Sequence, residues 1–217
     1  MIFQVYFDEE SKRNCSEGFT WYENKHLTEF FENQVIVDLY TGQDLFGVFS
    51  HDIDFAFKED ELKFSPENLN TILSRWPEVE VFSFQKRRRQ KNIVAQAENY
   101  HKGIVEMTQK VLDFCDMGPL PAELPQIVLF NYLIARPRFW DKYLKELLIP
   151  AMQCLKEMPE AYQDAGYSKL TRAMTPEKAK RFKEAFGVEW YPYHPFICER
   201  LPSIFLRKHK FNFKHIF

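Results

Sequence analysis

The chain has 217 residues, with 29 Lys and Arg against 31 Asp and Glu and a formal net charge of −2. That length suits one substantial domain, 1–217, around one core. The near-cancelling charge offers no whole-molecule field for nucleic acid or an acidic membrane. Twenty-two Phe, ten Tyr and four Trp imply a core of large flat rings, with surface rings available to stack on sugars or bases. Cys15, Cys115, Cys154 and Cys198 show no Cys-x-x-Cys spacing, which disfavours a zinc knuckle or a disulfide framework and fits a reducing cytosol. "MIFQVYFDEE" lacks the basic start and apolar middle of a signal peptide, and no stretch approaches about 18 consecutive apolar residues. The expectation is a cytoplasmic protein with no integral membrane segment, a peripheral contact with the inner membrane face being left open.

In chain order, "IFQVYF" at 2–7 is β-branched and aromatic and reads as an opening strand, followed by a polar loop through about residue 26. "HLTEFFENQVIVDLY", His26 to Tyr40, has near-helical apolar spacing. "DLFGVFS" at 44–50 is apolar enough for a parallel strand buried on both faces. Ser65 caps a helix with Pro66 in its first turn, "SPENLNTILSRW", and Pro77 turns the chain into the strand "VEVFSF". Strand, helix and strand joined by short connections predict a βαβ unit. From Asn92 to Asp116 the apolar spacing predicts one long amphipathic helix, which "GPLPAELP" ends. A strand-like "QIVLFNYLIA" leads to a helix opened by Pro137, "RPRFWDKYLKELLIPAMQCLKEM". Thr175-Pro176-Glu177 opens another helix, which Gly187 stops, and "PFICERLPSIFLRKH" makes the last. The predicted class is α/β with a largely helical C-terminal third.

Several constellations could carry chemistry. In "GVFSHDIDFAF", Asp52 and Asp54 sit two apart after a buried strand, where both carboxylates of an extended segment face one side. They could hold a divalent cation, Mn or Mg, on a diphosphate, as in nucleotide-sugar transferases of the GT-A fold, or be solvated carboxylates at a strand end. His101 lies beside an apolar helix face, as a structural group or as an acid or phosphate partner. Arg87, within the basic run 86–91, could grip a phosphate or be solvated. In "NYLIARPRFW", Asn131, Arg136, Arg138 and Trp140 stand at a strand-to-helix junction, a place where α/β proteins seat ligands; equally, Phe139 and Trp140 could anchor the helix to the core with the arginines exposed. Glu199 and Arg200 sit within an apolar helix, where unpaired charge is costly, so they are paired, exposed or used. With seven glycines, the chain shows no phosphate-cradling Gly-rich loop and no nucleophile elbow.

The order of four stretches resembles a family of bacterial glycosyltransferases encoded with capsular and cell-surface polysaccharide genes. They are "HLTEFFENQVIVDLY" with "DLFGVFSHDIDF", "NIVAQAENYHKGIVEM", "FNYLIARPRFWDKYLKELLIPAM" and "HPFICERLPSIFL". The matching positions are Glu29, Gly47, His101, Asn131, Glu199 and Arg200. One segment departs from the pattern: where many relatives carry His-Tyr-Arg-Arg, this chain has Ser50-His51-Asp52-Ile53-Asp54, which reverses the local charge. A metal replacing arginines, a different donor and lost activity are all compatible with that change.

The resemblance implies a GT-A-like, Rossmann-like mixed sheet flanked by helices, moving a sugar from a nucleotide-diphosphate donor to a surface glycan. On that reading Asp52 and Asp54 hold the metal, and His51, Arg87 and Arg136 contact phosphate. Glu199 is the candidate base, Arg200 orients it or binds the diphosphate, and His101 and Asn131 serve substrate binding. Trp190 and Tyr191 of "EWYPYHPF" stack on the acceptor sugar. The rival reading is a non-catalytic accessory protein that recognises a glycan or a partner transferase. A nucleic-acid protein using 86–91 is less favoured.

Overall fold

In the computed structural model the described residues are 1–51, 53, 65–84, 92–167 and 174–216. Asp52, Asp54 and Arg87 lie outside them. The chain is a mixed α/β structure with two small sheets flanked by helices. Strand β1 (Ile2–Tyr6) is central in the first sheet, pairing in parallel with β2 (Thr20–Glu23) and with β3 (Gly47–Ser50). The strands expected at 2–7 and 44–50 are therefore present. The loop expected to about residue 26 instead holds a short helix α1 (Glu9–Arg13) and β2. Three of the four β2 residues are exposed, so this edge strand has no buried face to reveal it by alternation.

The second sheet contains β4 (Val81–Ser83), β5 (Leu133–Ala135) and β6 (Phe213–His215) in the order β5-β4-β6. An antiparallel bridge between Phe46 and Ala135 joins it to the first, through backbone hydrogen bonds of 3.0 and 2.9 Å. The order across the joint is β2-β1-β3-β5-β4-β6, with β5 antiparallel to its neighbours. The predicted βαβ unit is thus modified: β3 and β4 are not neighbours, because β5 lies between them. Gly47 permits the joint, since a Cβ there would lie 2.8 Å from the Leu133 carbonyl oxygen and 2.9 Å from Ile134 Cγ1.

Alternation along the strands supplies two cores. Phe3, Val5, Val48, Val81, Leu133 and Ala135 face the larger core with the later helices. Phe49, Phe82, Phe84 and Ile134 face the smaller, which is closed by Leu69 and Leu73 of α3 (Pro66–Ser74). The Ser65 hydroxyl caps α3 as expected, accepting from Asn68 N at 3.3 Å.

Three helical expectations and one strand expectation are corrected. The helix of 26–40 shortens to α2 (Glu32–Leu39), because Phe31 before it takes φ 50°, outside helical space. The long helix of 92–116 is two, α4 (Ile93–Ala97) and α5 (Ile104–Phe114). Gly103 turns left-handed between them, at φ +87°, and the Glu98 carboxylate caps α5 by accepting from Gly103 N and Val105 N at 2.7 and 3.1 Å. Of "QIVLFNYLIA" only β5 is strand, since Phe130 and Asn131 both have φ 56°. The final helix is two, α9 (Tyr193–Cys198) and α10 (Leu201–Lys208), because Pro202 has no N–H to continue the ladder across the Glu199-Arg200 turn.

Between β5 and α9 lie α6 (Pro137–Tyr143) and α7 (Ile149–Lys156), made continuous by a π-turn over Leu144–Leu148. Pro150 cannot bond the Glu146 carbonyl, and Ile149 N reaches back to Leu144 O instead. Helix α8 (Pro176–Phe186) begins at the Thr175 cap and ends at Gly187, both as expected. No helix among the described residues is long and apolar enough to cross a membrane.

Candidate functional site

A cleft of about 1120 Å³ opens at the carboxyl ends of the parallel strands. Phe7 and Asp8 follow β1, Ser50 and His51 close β3, and Phe84 follows β4; all line it. Asn131 and Tyr132 enter from the start of antiparallel β5. The strand order reverses between β1 and β3, because β2 lies on the other side of β1, and such a switch point leaves a crevice where α/β sheets bind ligands. Helices α8 and α9 close the opposite wall with Arg181, Phe182 and Phe196. The volume lies just above the roughly 300–1,000 Å³ usual for a small-ligand pocket.

At the crevice, His51 is placed from both sides. The buried Gln4 of β1 donates to the His51 carbonyl at 3.2 Å while its own Oε1 accepts from Ser16 N at 2.7 Å. The imidazole meets the Phe7 ring edge-on at 4.9 Å, and its Nδ1 is buried without a hydrogen-bond partner among the described residues. Asp8 caps α1. Burial works against its charge, but hydrogen bonds from Ser11 and the nearby Arg181 and His51 outweigh that and hold the carboxyl below its usual range. The Arg181 guanidinium of α8 lies 5.8 Å over the Phe7 ring, which brings a cation to the ends of β1 and β3.

Further along the cleft, Phe31, Phe182 and Tyr191 form an aromatic wall. Phe31 and Tyr191 are stacked at 6.0 Å with planes 22° apart, and Phe182 stands edge-on to both at 5.5 and 5.0 Å. The Tyr191 hydroxyl is pushed up by burial and by the charge of Glu32. Three of the four non-glycine residues with positive φ among those described, Phe31, Phe130 and Asn131, line this cleft. Such conformations cost about 1–3 kcal/mol each and concentrate at functional sites. Asn33 and Asn131, 1 % and 4 % exposed, also line it, and each has an Oδ1 without a hydrogen-bond partner among the described residues. The Asn33 amide nitrogen is committed to Phe30 O at 3.2 Å, so its oxygen remains the group to be satisfied.

Glu199 lines the cleft from the turn between α9 and α10 and is buried. Burial pushes its carboxyl up, opposed by the Arg200 guanidinium bonded to it. Arg200 reaches away from the cleft to Ile93 O at 3.3 Å and Phe196 O at 2.5 Å, so it positions Glu199. The costly charges predicted within an apolar helix are thus paired with each other, at a helix break.

The remaining expected residues divide. His101 sits one layer behind the cleft, stacked at 4.1 Å on Phe196 with Nδ1 2.7 Å from Ala165 O. Burial lowers its pKa, and it does not line the cleft. Arg136 lies elsewhere: its guanidinium bonds Val79 O at 3.0 Å, Pro77 O at 3.0 Å and Asp44 at 3.2 Å. Because β5 is antiparallel, the strand-to-helix junction at Arg136 falls at the end of the strands opposite the cleft, and the start of β5 reaches the cleft. Trp190 donates to Tyr162 O at 2.8 Å and does not line the cleft, whereas Tyr191 does. Glu29 is buried and accepts from the Tyr162 hydroxyl at 3.3 Å.

Arg181, Phe31 and Asn33 escaped sequence reading: nothing local distinguishes Arg181 within "PEKAKRFKEAF", and only the fold turns it inward. Among the described residues no group of three or more His, Cys, Asp or Glu gathers as a metal site. The orphan His51 Nδ1, immediately before Asp52, nevertheless suits a cation ligand. Comparison with family models, with curated proteins and with solved structures finds no match.

Proposed function

We propose that the chain is a GT-A-like glycosyltransferase that moves a sugar from a nucleotide-diphosphate donor to a glycan acceptor. The observation that carries this reading is the composition of one cleft at the strand ends. A cation and an imidazole stand at the switch-point crevice, and a buried carboxyl and an aromatic wall stand beyond it. Arg181 and His51 receive the diphosphate there. Glu199, whose basicity burial raises against the pull of Arg200, takes the proton of the acceptor hydroxyl. The acceptor oxygen then bonds to the anomeric carbon as the carbon–oxygen bond to the diphosphate breaks, and the leaving charge stays with the diphosphate beside Arg181. A divalent cation, held by Asp52 and Asp54 with the His51 Nδ1 that has no partner among the described residues, would help neutralise that charge.

The test is thermal unfolding with UDP, GDP, CDP or dTDP, with and without Mn²⁺. A ligand at 100 times its Kd adds about 2.7 kcal/mol, which for a chain of this size raises Tm by roughly 5–11 °C. Asp52→Ala and Asp54→Ala are expected to remove the Mn²⁺ dependence of that shift. No shift with any nucleotide would overturn the reading in favour of the accessory protein.

A further inference from the structure

We infer that Phe130 is the stacking platform for the base of a nucleotide whose phosphates lie at the crevice of His51 and Arg181. The inference rests on the transferase reading and adds to it the residue that holds the nucleoside. Of the exposed large apolar side chains among the described residues, Phe130, at 47 %, is the one that lines the cleft. Its ring leans on Tyr132, with centroids 5.7 Å apart and planes at 53°, and the Tyr132 hydroxyl lies 3.4 Å from Ser50 Oγ, next to His51. The exposed ring is therefore two side-chain contacts from the end of β3, within reach of the nucleoside of a nucleotide held there.

The backbone beneath that ring is strained as well. Phe130 and Asn131 both have φ 56°, and Tyr132 N donates to Leu129 O at 3.1 Å, so residues 129–132 make a turn with positive φ at both central positions, the type I′ pattern. Such positions favour Gly, Asn and Asp; Asn131 fits, whereas a bulky phenylalanine is an outlier there. A small polar residue at 130 would suit both the turn and the exposure to water. A ligand that covers the ring accounts for the phenylalanine, since strain of this kind persists where function uses it. The ring has no hydrogen-bonding atom, so what it recognises is a flat π face, and every base has one.

The experiment is calorimetric titration of the full chain in Mn²⁺ with two ligands: methyl diphosphate, and whichever of UDP, GDP, CDP and dTDP binds most tightly. It is run on wild type, Phe130→Trp, Phe130→Ala and Phe130→Asn. Wild type is expected to bind the nucleoside diphosphate at least about tenfold more tightly than methyl diphosphate, and Phe130→Trp should keep that preference. Phe130→Ala and Phe130→Asn should weaken the nucleoside diphosphate by about 5- to 150-fold and leave methyl diphosphate unchanged. Phe130→Asn, whose side chain suits the turn, should melt within a few degrees of wild type, which separates loss of the ring from loss of the fold. Nucleotide binding unchanged in Phe130→Ala, both ligands weakened alike, or methyl diphosphate binding as tightly as the nucleotide each overturns the inference and leaves the transferase reading standing. Absence of binding by both ligands to wild type overturns the two together.

Discussion

Gly47→Ala probes the joint on which the cleft depends. The new methyl would meet the Leu133 carbonyl oxygen at 2.8 Å and Ile134 Cγ1 at 2.9 Å, about half an ångström inside ordinary contact. β5 cannot simply retreat, because the paired hydrogen bonds between Phe46 and Ala135 fasten it to the chain immediately before Gly47. Overpacking of this kind costs about 1–3 kcal/mol, or a Tm lower by roughly 2–12 °C for a chain of this size. The substitution should also weaken nucleotide binding, because β3 carries Ser50 and His51 to the cleft facing Tyr132, whose hydroxyl lies 3.4 Å from Ser50 Oγ. Gly42→Ala is the control: its Cβ meets nothing within 4 Å, so only the left-handed backbone at φ +88° is strained, and binding should be unchanged. Thermal and urea unfolding, with UDP titration, read both effects. A Gly47→Ala protein that melts and binds as wild type would refute the close-approach argument.

Two arginines should behave oppositely. Arg136→Ala removes the donors to Val79 O and Pro77 O and is expected to cost about 1–3 kcal/mol in urea unfolding with nucleotide Kd unchanged. Arg181→Ala should leave stability near wild type and raise Kd for UDP by about 10- to 100-fold, the loss of a charge-assisted contact. Glu199→Gln separates acid–base chemistry from stability. A carboxyl whose folded pKa lies above its unfolded value of about 4.3 contributes stability that is complete below that value and lost as pH rises through the folded pKa. Thermal melts from pH 4 to 8 should therefore show Glu199→Gln gaining on wild type as pH rises; the opposite slope would mean that pairing with Arg200 outweighs burial. Sugar transfer by that variant should fall about 10²- to 10⁴-fold with donor binding retained.

Local signals in the chain read well where the physics is local. Ser65, Thr175 and Gly187 bound their helices as expected, because a cap or a left-handed stop involves only a few neighbouring residues. β1 and β3 were legible because their runs are buried. Edge strands β2 and β6 were not, having no fully buried face to print a pattern. The helix of 92–116 misled because its apolar spacing survives the turn at Glu98 to Gly103, where a side-chain cap and one glycine break the backbone without breaking the stripe.

The candidate site follows the same division. From sequence alone came the mixed α/β class, the strand leading to His51, and the expectation that Glu199 and Arg200 must satisfy each other or be used. Asn131 and Tyr191 were also named and do reach the cleft. Only the tertiary structure decided which end of each strand faces ligand. The antiparallel course of β5 brings Asn131 to the cleft and sends Arg136 to the opposite end of the strands, a reversal that no composition or spacing within "NYLIARPRFW" records. It likewise brought Arg181 and Phe31, about 150 residues apart, to one cleft with Glu199. Strand direction and long-range juxtaposition depend on which surfaces pack together, and those pairings lie between segments distant in the chain.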